Sequence, residues 1–92
     1  MRHQQQFHIH LVRNDPSRNM ARFYQLALED DLFGCVLITR RWGRLGTSGR
    51  LKAQRAANAI EGLGILLQLL RTKRGRGYVP AGIGMASAGN TP

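Results

Sequence analysis

Residues 33–56 read FGCVLITRRWGRLGTSGRLKAQRA, and the fold turns on how this stretch is read. Val36, Ile38 and Thr39 are β-branched and suit a pleated surface, so a strand is expected to run from them into Arg44. Thr47 to Gly49 then reads as a hairpin turn, with Gly49 available for positive φ, and residues 50–56 return as the next strand. Ala53 and Ala56 would also suit a helix, which makes this returning strand the least marked of the set. Side chains alternate along an extended strand, so Arg40, Trp42 and Arg44 project to one side. The only tryptophan in the chain is thereby flanked by two guanidinium groups. A charged face is a poor place for a core tryptophan.

Upstream of this hairpin, QFHIHLVR (residues 6–13) alternates Phe7, Ile9 and Leu11 with His8, His10 and Val12, the period of a half-buried strand. NDPSRN is a turn by composition. In ARFYQLALE, Tyr24, Leu26 and Leu28 share one face while Phe23, Gln25 and Ala27 share the other, so a second strand precedes the EDDLFG turn. Downstream, Asn58 can cap the amide of Glu61 and Glu61 can answer back. Ile60, Leu63, Leu67 and Leu70 recur at helical spacing, an apolar stripe suited to lying across a sheet. The helix is expected to end between Lys73 and Gly75, where cations suit the negative end of its dipole. The fold class is α+β: an antiparallel sheet of four to five short strands packed against one helix. Residues 1–80 form one domain, and residues 81–92, small and uncharged, read as a flexible tail.

The chain has 92 residues, too few to divide between two cores, and 42% hydrophobic content suffices for one. Fourteen Lys and Arg against five Asp and Glu leave a net charge of +9, and twelve of the fourteen are arginine, the side chain best shaped for bidentate phosphate contact. The balance points to a polyanionic partner. Cys35 is the only cysteine, so no internal disulfide forms, and no apolar segment is long enough for a signal peptide or a bilayer span; a cytoplasmic location, nucleoid association included, is the expectation.

Catalysis finds little support. The acids Asp15, Glu29, Asp30 and Asp31 fall at turns and Glu61 at a helix start, so no carboxylate pair is placed for acid/base chemistry. Cys35, taken as mid-strand, reads as a small buried apolar residue without a neighbouring histidine. His8 and His10 share a strand face near His3, but without acid or cysteine partners they make an incomplete metal site. GRLGTSGR lacks the lysine and serine ending of a phosphate-binding loop. No enzyme, metal or cofactor is expected. Arg40, Arg41, Trp42 and Arg44, joined by Arg22, Arg50, Lys52 and Arg55, instead form a basic surface with one aromatic, which suits phosphate contact beside ring stacking. The second basic cluster, Arg71 to Arg76, is explained as readily by the helix dipole.

In context, Trp42, Gly43 and Arg44 resemble the signature of the WGR domain, known as the DNA-sensing module of some poly(ADP-ribose) polymerases. The frame around the tripeptide is also similar: NMARFYQLALEDD looks like the family's asparagine, basic residue, paired aromatics and following strand; RRWGRLGTSGR looks like its core motif; KRGRGY looks like its closing segment. The likeness runs from Asn19 to Val79. It implies a non-catalytic module that binds DNA near ends or breaks, with Trp42 packing on a terminal sugar and Arg44 contacting phosphate or a partner. Asn19 and Arg22 take the places of the residues that open the second strand, Gly43 and Gly46 those of the motif glycines needed for close backbone approach, and Tyr78 that of a closing core aromatic. No polymerase, helical regulatory or zinc-finger sequence accompanies the module, so activation of a fused enzyme is not carried over. Gly62 and Gly64 stand in the helix where strong helix formers are expected.

The resulting expectation is a DNA-binding module that contacts phosphate and sugar of end-containing duplex without strong sequence preference. RNA or single-stranded DNA stays open as the partner. The alternative is a protein-interaction or homo-oligomerisation module, a homodimer included, docking an acidic partner through Trp42 and Arg44. A membrane role is not expected, because the helix's cations gather at one end and do not line a polar face.

Overall fold

The structure, a computed structural model, describes residues 4–30 and 33–85. Strands β1 (Gln4–Asp15), β2 (Met20–Asp30), β3 (Val36–Arg44) and β4 (Arg50–Ala56) follow one another, and a helix α1 (Ala59–Gly75) then leads to β5 (Val79–Met85). The sheet order is β4-β3-β2-β1-β5 with every neighbouring pair antiparallel. The first four strands form a meander, and α1 carries the chain from one edge of the sheet to the other. This is the expected α+β architecture, a five-stranded antiparallel sheet against one helix.

Each turn follows from its residues. Pro16 opens a single 3-10 turn, Pro16–Arg18, and Asn19 closes it at φ 52°, its N–H donating to the Pro16 carbonyl at 3.1 Å. Asparagine tolerates this left-handed backbone better than most side chains, which gives Asn19 a structural reason for its place. In the β3–β4 hairpin, Gly49 sits at φ +70°, and a Cβ there would run into the Trp42 carbonyl. Gly43 is close against the same glycine, its would-be Cβ 2.9 Å from the Gly49 Cα, and Gly46 takes φ +90° in the turn. The two strands of the hairpin therefore meet backbone to backbone beside Trp42.

The core lies between the sheet and α1. Ile9 and Leu11 of β1, Tyr24, Leu26 and Leu28 of β2, Val36 and Ile38 of β3, Ala56, Leu66 and Tyr78 form one buried cluster, with Leu11, Leu26, Ile38 and Leu66 fully enclosed. Burying each of these large side chains contributes roughly 1.5–3 kcal/mol. Asn58 caps α1, its side chain accepting from the Glu61 N–H at 2.8 Å, while Glu61 reaches one residue further than expected and accepts from the Ala57 N–H at 2.7 Å.

Two expectations are corrected. The helix does not seat Ile60, Leu63 and Leu67 on the sheet: they are 85, 43 and 50% exposed, and Gly62 and Leu66 are the buried positions, with Ile65, Leu69 and Leu70 packed beside them. The reason is Gly62. A Cβ there would stand 2.9 Å from both Leu28 Cδ1 and Val36 Cγ1, so the missing side chain sets how closely and by which face the helix approaches. Residues 81–85 are likewise strand, not tail: β5 pairs with β1 from Val79 opposite Val12 to Met85 opposite Phe7. Its Pro80 and glycines are tolerated because β5 is an edge strand. The remaining tail residues 86–92, with His3 and Asp31, lie outside the described residues.

Candidate nucleic-acid interface

Register sorts the expected site residues by face. Arg22 pairs with Arg44, Tyr24 with Trp42 and Leu26 with Arg40, and on the next strand Arg40 meets Lys52 while Trp42 meets Arg50. Tyr24 and Leu26 belong to the core, so Arg22, Arg40, Trp42, Arg44, Arg50 and Lys52 all lie on the helix side of the sheet. Arg13 joins them opposite Arg22. Arg41 falls on the other side, where it pairs with Gln25 and donates from Nη1 to the Ser48 carbonyl at 3.0 Å. Arg55, opposite Leu37, falls there too. Strand alternation therefore divides the basic stretch between two surfaces.

Trp42 is neither a core residue nor a free platform. It is half-buried and packs against the core, tilted 38° to the Tyr24 ring with centroids 6.2 Å apart. The Arg40 guanidinium carbon lies 5.9 Å from the indole centroid. The expectation that its charged neighbours keep Trp42 off the core is thus corrected: Tyr24 supplies an apolar contact beneath it while the arginines stay at the rim.

The end of α1 completes this surface with Lys73, which the sequence explained by the helix dipole, and with Tyr78, the closing core aromatic. Gly77 adopts φ +96°, its N–H donates to the Arg74 carbonyl at 3.1 Å, and the Tyr78 N–H donates to the Lys73 carbonyl at 3.1 Å. This double bond pattern folds the closing aromatic back onto the last helical turn. Lys73 Nζ consequently stands 4.5 Å from the Tyr24 ring centroid and 5.7 Å from that of Tyr78, whose two rings meet edge to face. Burial, then the Arg76 and Arg40 guanidinium groups, hold Lys73 below the usual lysine value of 10.5. The spacing of Lys73, Gly77 and Tyr78 was the available signal; only the helix-ending geometry makes it a contact. A cleft of about 280 Å³ lies among Tyr24, Arg40, Trp42, Lys52 and Lys73.

The opposite face of the sheet is different. Ala27, Thr39 and Ala53 form a cross-strand row of small side chains in the floor of a shallow trough of about 540 Å³. His10 stacks on Phe23 with centroids 6.3 Å apart and contacts the Gln25 amide at 3.0 Å through Nδ1. The histidines of β1 thus take up ordinary strand positions, and among the described residues no group of His, Cys, Asp and Glu could hold a metal ion. Cys35 immediately precedes β3, outside the strand, and is half-buried. Among the described residues no helix is long and apolar enough to cross a membrane.

The chain is 42% identical over 76 residues to a protein of Sinorhizobium fredii (strain NBRC 101917 / NGR234) named uncharacterized protein y4dW. That match covers 83% of this chain and 37% of the relative, so the chain spans little more than a third of that protein's length. A family model described as the WGR domain matches residues 7–84, which take in β2, β3, β4 and α1 whole and most of β1 and β5, and the chain belongs to the WGR domain family.

Proposed function

We propose that the chain is a DNA-binding module that grips phosphate and sugar at duplex ends, through Trp42 and the cations around it, without reading base sequence. WGR domains are non-catalytic, and membership is consistent with a nucleic-acid- or partner-binding role. One observation carries the finer reading: Arg22, Arg40, Arg44, Arg50 and Lys52 share the helix-side face with a half-buried aromatic, Trp42. Among the described carboxylates, Glu29 and Asp30 stand at the far end of β2 from Arg22, Glu61 in the first turn of α1, and Asp15 at the end of β1, where it pairs with Arg18. Cations concentrated without counter-charge favour a phosphate backbone, and a ring exposed on one side offers a surface for a sugar or base. Phosphate and sugar contacts position a protein without reading bases, and the cations around Trp42 stand on strands of the sheet, which supports indifference to sequence. The proposal includes a cytoplasmic location, beside DNA.

The test is a fluorescence-polarisation titration of labelled short duplex, competed with closed circular DNA, across a salt series. Tight binding that prefers ends and weakens steeply with salt is expected; absent or salt-insensitive binding to duplex overturns the proposal. Single-stranded competitors separate a duplex preference from a general strand preference.

The same cationic face is complementary to an acidic protein. Under that reading a nuclease-treated sample retains a partner complex of discrete mass in light scattering, and DNA fails to displace the partner.

A further inference from the structure

The chain has two lysines among its fourteen basic residues, Lys52 and Lys73, and the fold brings both to one cleft. Lys52 reaches it from β4 opposite Arg40, and Lys73 from the last turn of α1. Every other base is an arginine, permanently protonated and unsuited to amine chemistry. Lysine amines in these 92 residues are therefore confined to the cleft beside Trp42.

Lys73 is the better placed of the two. Its Nζ is held over Tyr24 and near Tyr78, and burial together with Arg76 and Arg40 favours the neutral amine more than in a free lysine. A desolvated lysine beside other cations is the standard setting for attack on a carbonyl. A second observation concerns Arg40: its Nε is shielded from solvent and donates to no acceptor among the described residues. A buried donor without an acceptor, in a cleft it shares with the Lys52 ammonium, fits an anionic oxygen of a ligand.

Resting on the DNA reading above, we propose that this cleft takes an aldehydic sugar, the ring-opened deoxyribose of an abasic site next to a strand end, and that Lys73 captures it covalently as an imine. The neutral amine adds its lone pair to the C1′ carbonyl carbon, the resulting carbinolamine loses its oxygen as water, and a C=N bond replaces C=O. One water is released and nothing is oxidised or reduced. Trp42 faces the sugar, while Arg40 and Lys52 lie where the adjoining phosphates would need positive charge. The capture is stoichiometric and does not require turnover.

The experiment incubates the full chain with labelled duplex carrying an abasic site beside one end, adds sodium cyanoborohydride to reduce any imine to a stable secondary amine, and reads the adduct on a denaturing gel. In parallel, polarisation with the same duplex bearing a tetrahydrofuran analogue, which has no aldehyde, measures non-covalent binding and sets a saturating protein concentration for each variant. An adduct is expected whose modified peptide contains Lys73, and Lys73→Arg, which keeps the charge and removes the amine, is expected to lower the yield per bound duplex by about tenfold or more. Wild-type protein that binds the tetrahydrofuran duplex but gives no adduct overturns the capture and leaves the DNA reading standing. An adduct mapped to Lys52 or to the N-terminal amine, or one that persists undiminished in Lys73→Arg, also overturns it. Failure to bind the tetrahydrofuran duplex overturns both.

Discussion

Lys73 Nζ lies 4.5 Å from the centre of the Tyr24 ring, so the last turn of the helix is fastened to the second strand by a cation over an aromatic face. The same residue is desolvated and faces Arg76 and Arg40. Its titration followed by NMR at the ε-carbon is expected to fall below 10.5, and Arg76→Ala is expected to move it back toward that value. The sign for stability follows from the lowered value. Between the folded value and 10.5 the unfolded chain holds more protons at this site, so this contribution to stability rises with pH across that window and its cost is fully present below it. Urea melts of wild type and Arg76→Ala at two alkaline pH values check the difference.

Opposite faces of β3 give a paired prediction. Arg40→Gln and Arg44→Gln remove cations from the Trp42 surface, and each is expected to make the slope of log K against log salt shallower by about 1. Arg41→Gln, one position from each row on the far side of the sheet, is expected to leave that slope unchanged. Equal effects from all three would place DNA across both faces or on neither.

Trp42→Ala is expected to weaken duplex binding by about 1–3 kcal/mol, the range for losing an aromatic stacking partner. Trp42 also packs on Tyr24, so some loss of folding stability accompanies it. A thermal melt of the variant, with binding measured well below its midpoint, separates the two effects.

The two helical glycines are expected to respond in opposite directions. Gly62→Ala drives a methyl into Leu28 and Val36 and is expected to destabilise by about 1–3 kcal/mol. Gly64 has open space where a Cβ would stand. Gly64→Ala is expected to stabilise by roughly 0.4–1 kcal/mol through helix propensity and a less flexible unfolded chain. Chemical denaturation of both variants measures the contrast.

Much of this was legible in the residues. Alternation in β1 to β4 assigns the buried sides of Ile9, Leu11, Tyr24, Leu26 and Ile38, and Gly49 marks the hairpin that puts Trp42 beside Arg50. Alternation also separates Arg41 from Arg40, although net charge alone had grouped them. The contact face of α1 was hidden because its closest approach is made by a glycine, which leaves no apolar mark in the sequence. The extent of β5 was hidden for a similar reason: Gly82 and Gly84 mark a tail in the sequence, while the pairing with β1 carries the strand on to Met85. The cleft at Lys73 depends on a left-handed Gly77 returning Tyr78 to the helix end, a long-range closure that a lysine in a basic run does not announce.

The sheet order leaves β4 as an open edge, and an open edge is a template on which another chain can add a strand. Arg50, Lys52 and Arg55 occupy that edge. Two copies approaching through β4 would bring like charges together along the whole line of backbone groups. On the proposed DNA reading, Arg50 and Lys52 would serve twice, drawing a polyanion to the helix-side face and opposing strand addition by a second copy, and because both effects are electrostatic, salt that releases the polyanion would weaken the opposition as well.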